Sequence, residues 1–170
     1  ASNYQLGNNT AMGANALRYN LYQSAMTAVG ANALYNFRGS GSAVSNTAIG
    51  ANANYTSLGG DGGNTATGYT SLFSNNSGLY ITANGWNALL ANTNGDSNNG
   101  FGANALSGNT TGSNNNAIGY GALGNVITGE NNIGIGYNAN VPSSTGSNQV
   151  RVGNSAITYA GIEVPWSFIS

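Results

Sequence analysis

The chain has 170 residues, enough for one domain, with three Lys or Arg, four Asp or Glu, and a formal net charge of -1. Charged residues make up only 4%, which excludes both an electrostatic nucleic-acid footprint and a highly charged solvated tail. His and Cys are absent, which removes disulfides, Ser-His-Asp and Cys-His catalysis and the usual zinc ligand sets, and no apolar run approaches a membrane span.

From the N-terminus onward one glycine recurs, at Gly13, Gly30, Gly50, Gly68, Gly85, Gly102, Gly119, Gly136 and Gly153. The intervals are 17, 20, 18, 17, 17, 17, 17 and 17 residues. A fixed period of this size marks a stacked array. Four residues before the glycine stand Asn9, Met26, Asn46, Asn64, Ile81, Asn98, Asn115 and Asn132. A Thr column follows (Thr10, Thr27, Thr47, Thr65, Thr82), then a small residue, then Met12, Val29, Ile49, Thr67, Asn84, Phe101, Ile118 and Ile135. Beyond the glycine come a second small column and a Leu column of Leu17, Leu34, Leu72, Leu89, Leu106 and Leu123, interrupted by Asn54 and Asn140.

The run Thr47-Ala48-Ile49-Gly50 alternates with period two, which predicts a short strand with Ala on one face and Thr and Ile on the other. Nothing supplies the longer periodicity of a helix. A second set, Gly78, Gly95, Gly112, Gly129 and Gly146, lies seven residues before the main glycine in polar runs and predicts corners with positive φ. The main glycines predict positions where a side chain would strike a neighbouring coil or subunit. Each coil therefore reads as two short strands and two turns around a thin core of Ala, Ile, Val and Leu. Nine coils rising about 4.8 Å each make a rod on the order of 40 Å long. Asn and Thr columns are expected to ladder up the stack. With so few large apolar residues, one face and the Leu column are expected to lie in water unless copies cover them.

Between Gly30 and Gly68 the period slips at Arg38-Gly39-Ser40-Gly41 and Gly59-Gly60-Asp61-Gly62-Gly63, which read as loop insertions. The latter lacks the Lys-Ser/Thr and the helix of a phosphate-cradling loop. The repeats fill 1–147. Residues 148–170 read as a variant strand, Asn148 to Asn154, and an apolar tail suited to capping the rod.

Asn46-Thr47-Ala48-Ile49-Gly50 and Asn116-Ala117-Ile118-Gly119 resemble the head repeats of trimeric autotransporter adhesins of the YadA-like kind. The match covers roughly 9–140; the coil here is longer than is usual there, and in this it is more similar to bacteriophage tail-fibre repeats. Asn148-Gln149-Val150-Arg151-Val152-Gly153-Asn154-Ser155, with Trp166-Ser167 after it, resembles the segment before the intramolecular chaperone of endosialidase-type phage fibres. That resemblance implies a side-by-side homotrimer and cleavage after a serine, for which Ser170 stands at the end of this sequence.

The expectation is an all-β solenoid, a β-roll of about nine 17-residue coils, forming a non-enzymatic fibre segment. Its setting is extracellular, because Asn, Ser, Thr and Gly must keep the surface wet. Its partners are its own copies and a cell-surface glycan or receptor, with no cofactor, metal, nucleic acid or membrane insertion. The candidate ligand-binding residues are Tyr69, Trp86, Tyr120 and Tyr137, in the column just after the main glycine, where stacked rings suit sugars or a subunit interface. Asp96 and Glu130 share a column two coils apart, roughly 10 Å, and read as solvated turn residues rather than a glycosidase pair. A bacterial trimeric surface adhesin is the first alternative, and an ice-binding solenoid using the Thr column the next.

Overall fold

A computed structural model describes residues 7–20, 23–38, 45–57 and 62–158. The expected loop residues 39–44 and 58–61 with Asp61, the tail 159–170 and Ser170 lie outside the described residues. The fold is an all-β solenoid. Its strands are β1 Thr10–Met12, β2 Thr27–Val29, β3 Asn36–Phe37, β4 Thr47–Ile49, β5 Thr56–Ser57, β6 Thr65–Thr67, β7 Thr82–Asn84, β8 Asn99–Phe101, β9 Asn116–Ile118, β10 Ile133–Ile135 and β11 Val150–Val152. Nine of them form one parallel sheet in the order β1-β2-β4-β6-β7-β8-β9-β10-β11. Each coil thus lays one strand on the strand of the coil before it.

Register is kept through the irregular intervals. Ala28 pairs with Ala48, and Ala48 with Ala66, so the extra residues are absorbed outside the strands. Among the described residues the second strand per coil forms only as β3 with β5, in parallel register Asn36 to Thr56. Elsewhere that side is joined by isolated bonds such as Ser74 N–H to the Leu90 carbonyl (3.2 Å) and Ala91 N–H to the Ser107 carbonyl (3.3 Å). The expectation of two strands in every coil is corrected accordingly.

Alternation sets the core. In β4 the central Ala48 is buried, while Ile49 faces out, and the same holds for Ala117 and Ile118 in β9. The core is therefore mainly Ala and Leu, joined by Met26, Phe37, Ile81, Val126 and Val141, while the Ile side chains within the strands face out. Leu34, Leu72, Leu89, Leu106 and Leu123 are all fully buried, which overturns the expectation of a Leu column in water. A short coil reaches this because Leu sits at a left-handed corner: φ is 54° at Leu17, 49° at Leu34 and 52° at Leu106. The corner costs backbone strain, but it turns the side chain inward into apolar contact.

The glycine columns divide the work differently from the expectation. At Gly102, φ is 134° and an added Cβ would lie 2.5 Å from the Gly119 oxygen, so both conformation and stacking exclude a side chain. The set Gly78, Gly95, Gly112, Gly129 and Gly146 has no positive φ. A Cβ at Gly95 would instead sit 2.2 Å from the Gly112 oxygen. These are close-approach positions, and the left-handed corner lies two residues later, at Tyr80, Ser97, Asn114, Asn131 and Asn148.

Two inward Asn columns serve the backbone. The Asn115 amide accepts from the Asn132 N–H (2.9 Å) and donates to the Gly129 carbonyl (2.9 Å). Asn98 does the same for the Asn115 N–H (2.9 Å) and the Gly112 carbonyl (2.7 Å). In the second column Asn109 donates to Asn92 (2.8 Å), and Asn92 to Asn75 (2.9 Å). A buried polar column is tolerated because nearly every group finds a partner one coil away. The Thr column forms no such ladder: among the described residues no side-chain hydrogen bond joins Thr10, Thr27, Thr47, Thr65 and Thr82 to one another.

Candidate functional site

The outer face of the nine-stranded sheet is built by the residues that alternation turns outward. One column carries the exposed Met12, Ile49, Phe101, Ile118, Ile135 and Val152, with half-buried Val29 among them and Thr67 and Asn84 as polar interruptions. Beside it, just past the main glycine, stand Tyr69, Trp86, Tyr120 and Tyr137, exposed by 53%, 51%, 50% and 62%. The positive φ of the glycine ends the strand and sets the next side chain outward again, alongside the Ile column. Tyr120 and Tyr137 stack with centroids 5.5 Å apart and planes at 17°. Among the described residues no ring contact joins Tyr69 to Trp86, so the column is one stacked pair and two separate rings rather than a continuous ladder.

This face has no charge to oppose contact. Its polar groups are neutral: the Asn99 amide donates to Asn116 (2.9 Å) on the same outer surface. Chemically it can pack against a matching apolar surface or against the faces of sugar rings.

The Asp96 carboxylate is occupied by the fold. Asp96 accepts the Leu79 N–H at 2.8 Å and is exposed. Its own N–H donates to Ser113 Oγ at 3.0 Å, and the Glu130 N–H donates to Ser147 Oγ at 3.0 Å. The column position shared by Asp96 and Glu130 is thus one where an oxygen-bearing side chain serves the preceding coil. Among the described residues no three His, Cys, Asp or Glu side chains gather as a metal site.

A second aromatic group, Tyr19, Tyr22, Tyr35, Phe37, Tyr55, Phe73 and Tyr80, reads in the sequence as scattered residues in or near corners, where exposure is expected. Tyr35, Tyr55 and Phe73 form a half-buried stack with centroids 4.9 and 5.0 Å apart and planes within 11° of parallel. Tyr19 meets Tyr35 edge-on at 5.2 Å. Phe37 lies in the core, and Tyr80 is exposed, while Tyr22 lies outside the described residues. The spacing of the three stacked rings repeats the irregular 20- and 18-residue intervals of the coil glycines, the one trace that alignment on the glycine offers. The phenols of Tyr19 and Tyr35 act on each other: the Tyr35 hydroxyl, followed by the Arg18 charge, lowers the Tyr19 phenol below its ordinary value, and the Tyr19 hydroxyl raises Tyr35.

No protein-family model, curated protein or solved structure matches this chain.

Proposed function

We propose that the chain is a structural and adhesive segment of an extracellular fibre of the phage tail-fibre kind. Three copies associate side by side through the outer sheet face, and the assembled fibre attaches to a cell-surface glycan or receptor without catalysing a reaction. The observation that supports this is the exposed Ile and aromatic surface, running from Ile49 to Tyr137 on a nearly uncharged sheet. Exposed apolar patches of this continuity mark interaction surfaces. Identical columns on identical chains bring like to like under rotational symmetry, and no charge repels them. The resemblance to fibre repeats supports the same reading.

Native mass measurement is expected to give three chains. The paired substitution Ile118→Asp and Ile135→Asp should yield monomer, since each copy would then bury uncompensated carboxylates. A monomeric parent chain would defeat the association claim. Attachment is read separately, by binding of the labelled fibre to glycan arrays, with Tyr120→Ala and Tyr137→Ala expected to reduce it.

The in-register outward Thr10, Thr27, Thr47 and Thr65 favour one second reading, an ice-binding solenoid. A thermal-hysteresis measurement without activity would eliminate it.

A further inference from the structure

The Tyr35, Tyr55 and Phe73 rings cover one another's faces, so the stack offers solvent mainly its rims. Its first-coil end is different. Arg18 lies 5.5 Å from the Tyr19 centroid and 6.0 Å from that of Tyr35, and Arg38 lies 5.1 Å from that of Tyr19. These are two of the three cations in a chain of net charge -1. Both are exposed. Among the described residues neither forms an ion pair; Arg18 donates to the neutral Asn15 amide (2.8 Å) and also interacts with the Tyr19 phenol. Arg151, the remaining cation, donates to the Gly153 carbonyl at the far end of the stack.

Two guanidiniums seated over a phenol ring are held in position and weakly hydrated, with planar donor forks free to take a carboxylate or sulfate. Beside them runs a neutral ladder, exposed at Asn15 and half-buried at Asn32 and Asn52, with bonds from Asn15 to Asn32 (3.1 Å) and Asn32 to Asn52 (3.0 Å), whose amides suit hydroxyl groups. The left-handed residues Asn15 and Leu17 turn the chain between the outer sheet face and this cluster, so the two surfaces are separate.

We propose that Arg18, Arg38 and Tyr19, backed by Tyr35, form a binding site for an acidic saccharide, a sugar bearing a carboxylate or sulfate. Two cations at one point suit a ligand with one or two charges. A nucleic acid would need a basic track along the stack, and the next coils supply none. The site deepens the adhesive reading by naming a ligand class, and it is independent of chain association.

The test is calorimetric titration of the full chain with trigalacturonate, its methyl ester, a sulfated galactan fragment and a single-stranded oligonucleotide. Binding of trigalacturonate or the sulfated fragment is expected, weakening as salt is added. Arg18→Gln and Arg38→Gln should each lower affinity about tenfold, while Arg151→Gln leaves it unchanged. Failure of both acidic sugars, equal binding of the ester or of the oligonucleotide, or indifference to both substitutions would overturn the site. So would binding that appears only after Asp61→Asn, since the guanidiniums would then be held by the chain's own carboxylate. Native mass of the same variants separates loss of this site from loss of association.

Discussion

Gly102 and Gly100 sit two residues apart and carry opposite consequences. A Cβ at Gly102 meets backbone of the next coil at 2.5 and 2.6 Å with φ at 134°, and neither side can yield. Gly102→Ala is expected to destabilise by about 4 kcal/mol or more, as a lower denaturation midpoint. Gly100 occupies the inward column that Ala fills in neighbouring coils, and its nearest contacts are 3.3 and 3.4 Å away. Gly100→Ala should stay within about 1 kcal/mol of the parent in the same experiment. Asn54 is a further singular residue. It replaces Leu in the core column, is fully buried, and neither its amide oxygen nor its nitrogen has a partner. Its φ of 44° is close to the 49° of Leu34. Asn54→Leu should therefore stabilise the chain by about 1–3 kcal/mol in urea unfolding, and a loss of stability would show that the amide is satisfied in solution.

At the scale of the coil, the corners are made by residues that sequence rules seldom place there. The coils that begin at Gly68, Gly85 and Gly102 each take left-handed φ at three side-chain positions, for instance Asn87, Leu89 and Ser97. Asn accepts this conformation readily, whereas Leu accepts it because burial outweighs the strain. The aromatic stack is also a property of the coil, since its rings meet only when one coil lies on the next. It predicts an ordering of titrations. Tyr19 should ionise ahead of Tyr35 in ultraviolet difference absorbance. Tyr35→Phe, which removes the first cause, and Arg18→Gln, which removes the neighbouring charge, should each move it back up. The signs for stability are opposite for the pair. The lowered Tyr19 contributes only above the unfolded phenol value and loses that contribution as pH falls through its folded value. The raised Tyr35 contributes below the unfolded value and loses its share as pH rises through its folded one.

Taken whole, the molecule is a nearly one-dimensional stack in which each coil contacts its neighbours above and below. Stability should then be highest where coils are regular on both sides and lowest at the ends. Amide exchange is expected to be slowest in β7 to β9 and fastest in β1, whose three residues are all exposed, and in β11. Uniform protection along the rod would contradict this. The same logic separates the molecule's two surfaces. The apolar sheet face extends along many coils and suits association, whereas the cationic cluster is confined to the first coils and suits a single ligand group.

The sequence by itself determined the period, the position of the main strand in each coil, the stacking of coils and the need for glycine at each main column. These are legible because a short strand followed by Gly50 or Gly102 repeats the same local chemistry each time. The direction each column faces was only partly legible. Alternation puts Ala48 opposite Thr47 and Ile49, but not which side is the core. The Leu column turns inward only through left-handed corners that Leu rarely adopts, so its burial followed from packing. The role of Gly95 depended on the carbonyl of Gly112 in the next coil. The gathering of Arg18 and Arg38 over Tyr19 required the coils to be stacked, because residues 18 and 38 meet only across that stack.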